Sequence, residues 1–377
     1  MDMDTDTERR RTFEIDRRDH AVTRIAEDPA ARLEDGQIRL AIDRFALSAN
    51  NITYALVGDQ LGYWSFFPAE APWGRIPAMG WADVVESRNS EIRVGGRYFG
   101  WYPMASGVTL SAAPHAAGFR DVGPHRDGHA PIYRLFQSTE RDPYHRADFE
   151  DRDALLRGLF LTAFLADDYL EDQDYFGTAT TIVLSASSKT AIGLAAQSRA
   201  RGRRTIGLTS PANLDFVRSL ALYDQTLSYE QLEDDAFDPD GYAVVVDMSG
   251  RRDLVARVHE RLGGRLRYSM AIGMSHGAGP ERAAAPKGAR ASSEIEQGFF
   301  FAPTQAEKRN RDWGPRVVQE RMTAALHRFV EESEGWLEIE EVRGPESLGE
   351  TYRALRAGQI RPERGLIASL SPPEEPA

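Results

Sequence analysis

The sequence predicts an α/β protein in which a β-rich, barrel-like region precedes a doubly wound parallel sheet. Three observations predict it. Short apolar runs broken by Gly and Pro fill the stretch from Ile38 to about Tyr102; strands and helices alternate after Asp153; and the strands of that second region are continuously apolar, as strands covered on both faces must be.

The first region is typified by GRIPAMGWADVVESRNSEIRVGGRYFGWYP, which reads as strands and tight turns. Glu91 to Tyr102 places Ile92 and Val94 before the Gly95-Gly96 turn, and Tyr98 and Phe99 after it, predicting a hairpin of a small barrel. Pro114 to Asp153 is polar, rich in Arg, His, Asp and Pro, and predicts a long loop or an insertion. Leu156, Phe160 and Phe164, with Leu155 and Leu159, then mark an amphipathic helix.

Thr181–Leu184 predicts a strand, followed by small residues, a helix through Ala195 and Ala196, and a strand at Thr205–Thr209, which together form a βαβ unit. The alternation continues with a helix at Leu214, Val217 and Ala221, a strand at Ala243–Val246, a helix at Leu254, Val258 and Leu262, and a strand at Leu266–Ile272. Near the end, Val318, Met322, Leu326 and Phe329 form a helical stripe, Leu337–Val342 alternates like an edge strand, and LRAGQIRPERGLIASL closes with a helix and a strand. SPPEEPA has the composition of a disordered tail.

Composition narrows the function. A length of 377 residues suits two domains. The chain has no cysteine, which excludes disulfides, thiolate-bound zinc, iron–sulfur clusters and a Cys nucleophile. A net charge of -12 argues against nucleic-acid binding. The first residues carry acids and arginines with no apolar core, and the apolar stretch around Leu155–Leu170 is broken by Arg157, Asp167 and Asp168. A cytoplasmic protein with no membrane partner is therefore expected.

TIVLSASSKTAIGLAAQSRARG, Thr181 to Gly202, carries the most chemistry. It lies where the first strand of a dinucleotide-binding sheet meets its helix, and a pyrophosphate there needs close backbone N–H groups. Ser185, Ser188 and Ala191 stand at a GxxGxxG spacing; Ser187, Ser188 and Thr190 offer hydroxyls and Lys189 a cation. The other reading is a structural turn that has lost its ligand.

These segments together resemble the medium-chain dehydrogenase/reductase superfamily. PAMGWADVVES is similar to its P-x-x-G-x-x-x-x-G-x-V strand pair without the second glycine, VGGRYFGW to its V-G-D-R-V-x-G turn, and AVVVDMSG to its V-V-x-D-x-x-G strand. More narrowly, FALSANNITYALVGD, SASSKTA and FFFAP resemble a branch of that superfamily of unknown function. The resemblance implies a GroES-like barrel domain at 1–150 with 320–377, a Rossmann dinucleotide-binding domain at 151–319, and a homodimer. Lack of Cys points to the zinc-free quinone and enoyl reductase type, which transfers hydride from NADPH to an activated C=C or C=O bond.

The cofactor preference follows from TIGLTSPAN, Thr205 to Asn213, where no acid waits for ribose hydroxyls, so NADP is expected over NAD. The resemblance places Ser210, Asn213 and Tyr229 at the 2′-phosphate, with Leu214 where the family's basic partner would be, and Ser249 and Gly273 near the nicotinamide. Ser48 to Pro68 occupies the position of the loop lining the nicotinamide, so Asn51 and Tyr54 are candidates to orient or protonate a substrate, and Tyr63 lies near the enoyl reductases' tyrosine. The plain readings are a turn amide for Asn51 and a core ring for Tyr54.

Eleven of the 36 aromatic residues fall between Tyr54 and Tyr102. Trp64, Phe66, Phe67 and Trp73 among them suggest either an apolar substrate pocket or core. His276 is a candidate proton donor and otherwise an exposed loop histidine. HRDGH, with His125, Asp127 and His129, reads as polar loop in preference to a metal site, and Asp167 and Asp168 as a solvated face. The rival functions are a nucleotide-binding relative without hydride transfer and a non-redox carbon–carbon lyase.

Overall fold

The computed structural model describes residues 9–272 and 296–371. In chain order the strands are β1 (Arg10–Asp16), β2 (Thr23–Asp28), β3 (Gln37–Leu47), β4 (Trp73–Gly74), β5 (Pro77–Ser87), β6 (Arg97–Pro103), β7 (Gly107–His115), β8 (Gly118–Asp121) and β9 (Leu135–Ser138). There follow β10 (Thr180–Leu184), β11 (Arg204–Thr209), β12 (Gln225–Ser228), β13 (Ala243–Asp247), β14 (Leu266–Ile272), β15 (Glu296–Phe300), β16 (Glu338–Arg343) and β17 (Arg364–Ser369).

The chain forms two compact units. One takes the chain up to Leu155, Glu338–Ile360 and the residues from Arg364 onward; the other takes Leu156–Leu337 and Arg361–Glu363. The return to the first unit thus begins at Glu338 and not at 320, because helix Pro315–Glu332 packs within the second unit, where Phe329 stacks on Phe160 at 4.6 Å.

In the first unit β3, β5, β6, β9, β8 and β7 follow one another, and β7 pairs back onto β3, which closes a barrel. Strand β3 shows why: Ile38, Leu40 and Ile42 alternate inward and are fully buried. At Gly80, opposite Phe45, an added Cβ would lie 2.2 Å from the Arg44 carbonyl, so only glycine lets these strands approach. Strand β17, with β16 beyond it, pairs with Phe45–Leu47 at the end of the β3 edge that carries β7.

The polar stretch 114–153 is not simply a loop. It contributes β8 and β9, whose Phe119 and Phe136 are buried and stack in parallel at 4.8 Å inside the barrel. The hairpin also differs from expectation: its arms are β5 and β6, and Ile92 and Val94 belong to the connection between them. Trp64, Phe66 and Phe67 belong to the buried core of this unit. The N-terminal β1, with β2 and β4, makes a small separate sheet.

The second unit holds a parallel six-stranded sheet in the order β12-β11-β10-β13-β14-β15. Counted within the unit this is 3-2-1-4-5-6, the doubly wound order of dinucleotide-binding domains. Every residue of β10 and β13 is buried, as continuous apolar runs require. Helix Lys189–Ala200 comes close to helix Glu150–Asp172 through Gly193, where a Cβ would sit 3.1 Å from that of Ala163.

Asp167 and Asp168 are fully buried, which corrects the solvated face. Asp167 accepts from Arg201 at 2.5 Å and Ser198 at 2.9 Å; Asp168 accepts from Arg309 at 2.6 Å and Gln305 at 2.5 Å. Among the described residues no helix is long and apolar enough to cross a membrane.

Candidate functional site

The register of the parallel sheet fixes which residues emerge together. Leu184 at the end of β10 pairs with Leu208 of β11 and Asp247 of β13, and Thr209 pairs with Ser228 of β12. Ser185, Ser210, Tyr229 and the turn after Asp247 therefore leave the sheet at one edge, the carboxyl end of the strands, where open α/β sheets bind ligands.

Ser185 follows β10 with φ +59°, a left-handed conformation that normally selects glycine. The turn thus holds serine in a conformation where glycine is usual. The Ser188 N–H donates to the Ser185 carbonyl at 2.8 Å, and the Ser188 hydroxyl caps the helix by accepting from the Ala191 N–H at 3.3 Å. Lys189 and Thr190 form the first turn of that helix, whose leading N–H groups have no intrahelical acceptor.

Ser187 is buried, and its hydroxyl accepts from Asn213 Nδ2 at 3.0 Å and Thr209 Oγ1 at 3.3 Å. The turns after β10 and β11 are thereby tied together. The Lys189 ammonium donates to the Pro362 carbonyl at 3.1 Å; burial pulls its titration down to about 8, with Glu363 opposing. Ser249 closes the turn after β13, donating to Asp247 from its N–H at 2.7 Å and its hydroxyl at 2.6 Å. Burial raises the Tyr229 phenol, offset by hydrogen bonding to Ser185 and by the Arg251 guanidinium. Gly273 and His276 lie outside the described residues.

A dinucleotide fits this edge on two observations: the left-handed turn at Ser185, and a capped helix start carrying only short side chains and Lys189. Ser187, Ser188, Lys189 and Thr190 are the residues able to hold a pyrophosphate, with Ser210, Asn213 and Tyr229 along the same edge.

In the first unit the amide of Asn51 is engaged within the fold, in line with its plain reading as a turn amide. It is buried; its Oδ1 accepts from the Ser48 N–H at 2.8 Å in a capping box, and its Nδ2 donates to the Pro77 carbonyl at 3.1 Å. The amide oxygen thus caps helix Ala49–Leu56 and its nitrogen ties that helix to the start of β5. Tyr54 and Tyr63 do come together, with ring centroids 4.5 Å apart, among Phe66, Trp101 and Tyr133. Burial raises both phenols well above their ordinary range, so they remain protonated donors at neutral pH.

Tyr133 and the residue that places it lie in the stretch read as polar loop. Arg126 is fully buried and pairs with the equally buried Asp121 at 3.1 Å. It donates to the Phe66 carbonyl at 3.1 Å and to that of Tyr133, so one guanidinium joins two segments of the aromatic cluster. His129 Nε2 lies 2.8 Å from the Ser65 hydroxyl, and burial lowers its titration. Nothing in the spacing of HRDGH distinguishes Arg126 from a surface residue.

The barrel and the 3-2-1-4-5-6 sheet together give a fold shared with solved reductases. The CurF ER cyclopropanase from the curacin A biosynthetic pathway aligns with TM-score 0.59 and 13% identity over 96% of this chain and 99% of its own. CurA from Vibrio vulnificus, also solved in complex with NADPH, aligns with TM-score 0.58 and 14% identity over 97% of this chain and 100% of its own. The quinone oxidoreductase from Coxiella burnetii gives TM-score 0.56 and 12% identity over 97% and 100%.

Residues 45–361 match the family described as Protein of unknown function (DUF2855), and the chain belongs to it. No curated protein matches the sequence.

Proposed function

We propose that the protein is an NADPH-dependent reductase of the zinc-free medium-chain type, acting on an activated C=C or C=O bond of a quinone, enone or enoyl substrate. The observation that carries this reading is the turn after β10, left-handed at Ser185 and leading into a helix capped by Ser188, at the ligand-binding edge of a 3-2-1-4-5-6 sheet. The NADPH complex of CurA, of the same fold, adds support.

In this reading the helix start and Ser187, Ser188, Lys189 and Thr190 bind the pyrophosphate. Asn213 keeps the Ser187 hydroxyl in place. When bound, NADPH supplies a hydride to the electron-poor carbon and leaves as NADP⁺. A phenol from Tyr54 or Tyr63 delivers the proton to the neighbouring carbon or oxygen and is reprotonated from water, so the bond gains two electrons and two hydrogens. Trp101, Phe66 and Tyr133 around those phenols suit an apolar or aromatic substrate. The expected assembly is a homodimer, in the cytoplasm.

A second reading, a nucleotide-binding relative without hydride transfer, is favoured by the commitment of Asn51 to a helix cap. Fluorescence titration of the purified protein with NADPH and NADH tests the first step, and failure of both to bind overturns the proposal. Binding without NADPH oxidation across quinones, enones and aldehydes supports the second reading.

A further inference from the structure

We infer that Arg251, in the turn after β13, is the cation that selects a phosphorylated adenosine ribose, gripping the 2′-phosphate from the fourth strand of the sheet. This rests on the dinucleotide reading above and adds to it a specificity-determining residue.

The need for such a cation is plain from the charges. A ribose phosphate brings about two negative charges to a protein of net charge -12. Strand β11 ends in Thr209-Ser210 with no carboxylate to repel it, yet Leu214 beyond that strand supplies no cation. Lys189 sits at the turn after β10, and its ammonium donates to the Pro362 carbonyl.

Arg251 lies differently. Its guanidinium carbon is 5.6 Å from the centre of the Tyr229 ring, and Tyr229 is the first residue beyond β12, which pairs directly with β11. The Tyr229 ring, partly buried beside the turn at Ser185, offers its face to the guanidinium. The backbone of Arg251 is fixed as well, since its N–H donates to the Ser249 hydroxyl at 3.1 Å.

The guanidinium is half exposed, and its carboxylate partner is Asp253 at 2.8 Å, itself largely exposed. Such a surface pair is weak, and a phosphate that takes two parallel N–H bonds displaces it readily. The other carboxylate whose charge reaches Tyr229, Asp247, is tied to the N–H and hydroxyl of Ser249.

The test is calorimetric titration of the full chain and of Arg251→Ala, Arg251→Lys and Asp253→Asn with NADPH, NADH and 2′,5′-ADP. Arg251→Ala is expected to weaken NADPH and 2′,5′-ADP about tenfold or more while changing NADH by less than about twofold, with Arg251→Lys intermediate. Asp253→Asn, which frees the guanidinium, is expected to tighten NADPH alone. An equal loss for NADPH and NADH, as stacking on the adenine ring would give, overturns the inference, as does no change for either. Wild-type preference for NADH also overturns it but leaves the dinucleotide reading standing. Failure of the folded wild-type chain to bind any of the three overturns both.

Discussion

Lys189 is held at an energetic disadvantage that can be measured. Burial brings its ammonium from the ordinary 10.5 to about 8. A gap of about 2.5 pH units, at about 1.4 kcal/mol each, makes the charged form costlier in the folded chain by about 3 kcal/mol. The sign follows from linkage. Below about pH 8 the lysine is charged in folded and unfolded chains alike, so the cost is fully present. Between about 8 and 10.5 the unfolded chain binds the additional proton and stability rises with pH; above that the cost is gone. Lys189→Met removes the charge and keeps the bulk. Its stability relative to wild type should therefore fall by about 3 kcal/mol between pH 7 and pH 10.5, other titrating groups being common to both chains. Urea unfolding of the two proteins across that range measures the difference. A wild-type-to-variant gap that is constant with pH would refute the placement of a buried, charge-strained ammonium at this turn.

Three further outcomes are expected. Asn51→Ala should lower stability by about 1–2 kcal/mol through loss of the cap, seen in thermal unfolding, while leaving NADPH affinity unchanged; a selective loss of NADPH turnover would place Asn51 in the site. Arg309→Met strands Asp168 without its cation in the interior and should destabilise by about 3–5 kcal/mol in urea, whereas a neutral effect would show that Gln305 alone suffices. Ser185→Gly relieves a left-handed strain of about 1–2 kcal/mol against a backbone-entropy loss of about 0.5–1 kcal/mol, so a modest rise in the urea midpoint is expected. A fall would mean that the contacts of the serine side chain outweigh the strain.

The sheet of the second unit was legible because strands buried on both faces cannot alternate; Thr180–Leu184 and Ala243–Asp247 are marked by residue type alone. Strands β8 and β9 escape such reading for the opposite reason. GFRD and LFQS are short, and each places a single phenylalanine, Phe119 or Phe136, in the barrel. RRTFEID and TRIAED hide β1 and β2 behind charges that pair across strands, as Arg24 does with Glu14. Buried charge is the hardest case: Asp167 and Asp168 look solvated until Arg201 and Arg309, distant in sequence, arrive beside them. At the site, the turn after β10 was visible from small residues after an apolar strand, whereas the role of Asn51 depended on a carbonyl at Pro77 that no local pattern announces.

Along one edge β3 pairs first with β7, through Gln37–Ala41, and then with β17, through Phe45–Leu47, and the seam is completed by the Ser371 hydroxyl on the Ile42 carbonyl, 329 positions away. On the ribosome, β3 is made early and β17 last, with the whole second unit synthesised in between. Throughout that interval the nascent chain carries an unpaired strand edge, the kind of surface that recruits stray strands. Asp43 and Arg44 put opposite charges just before the residues that await β17, the kind of feature that disfavours stray strand pairing there.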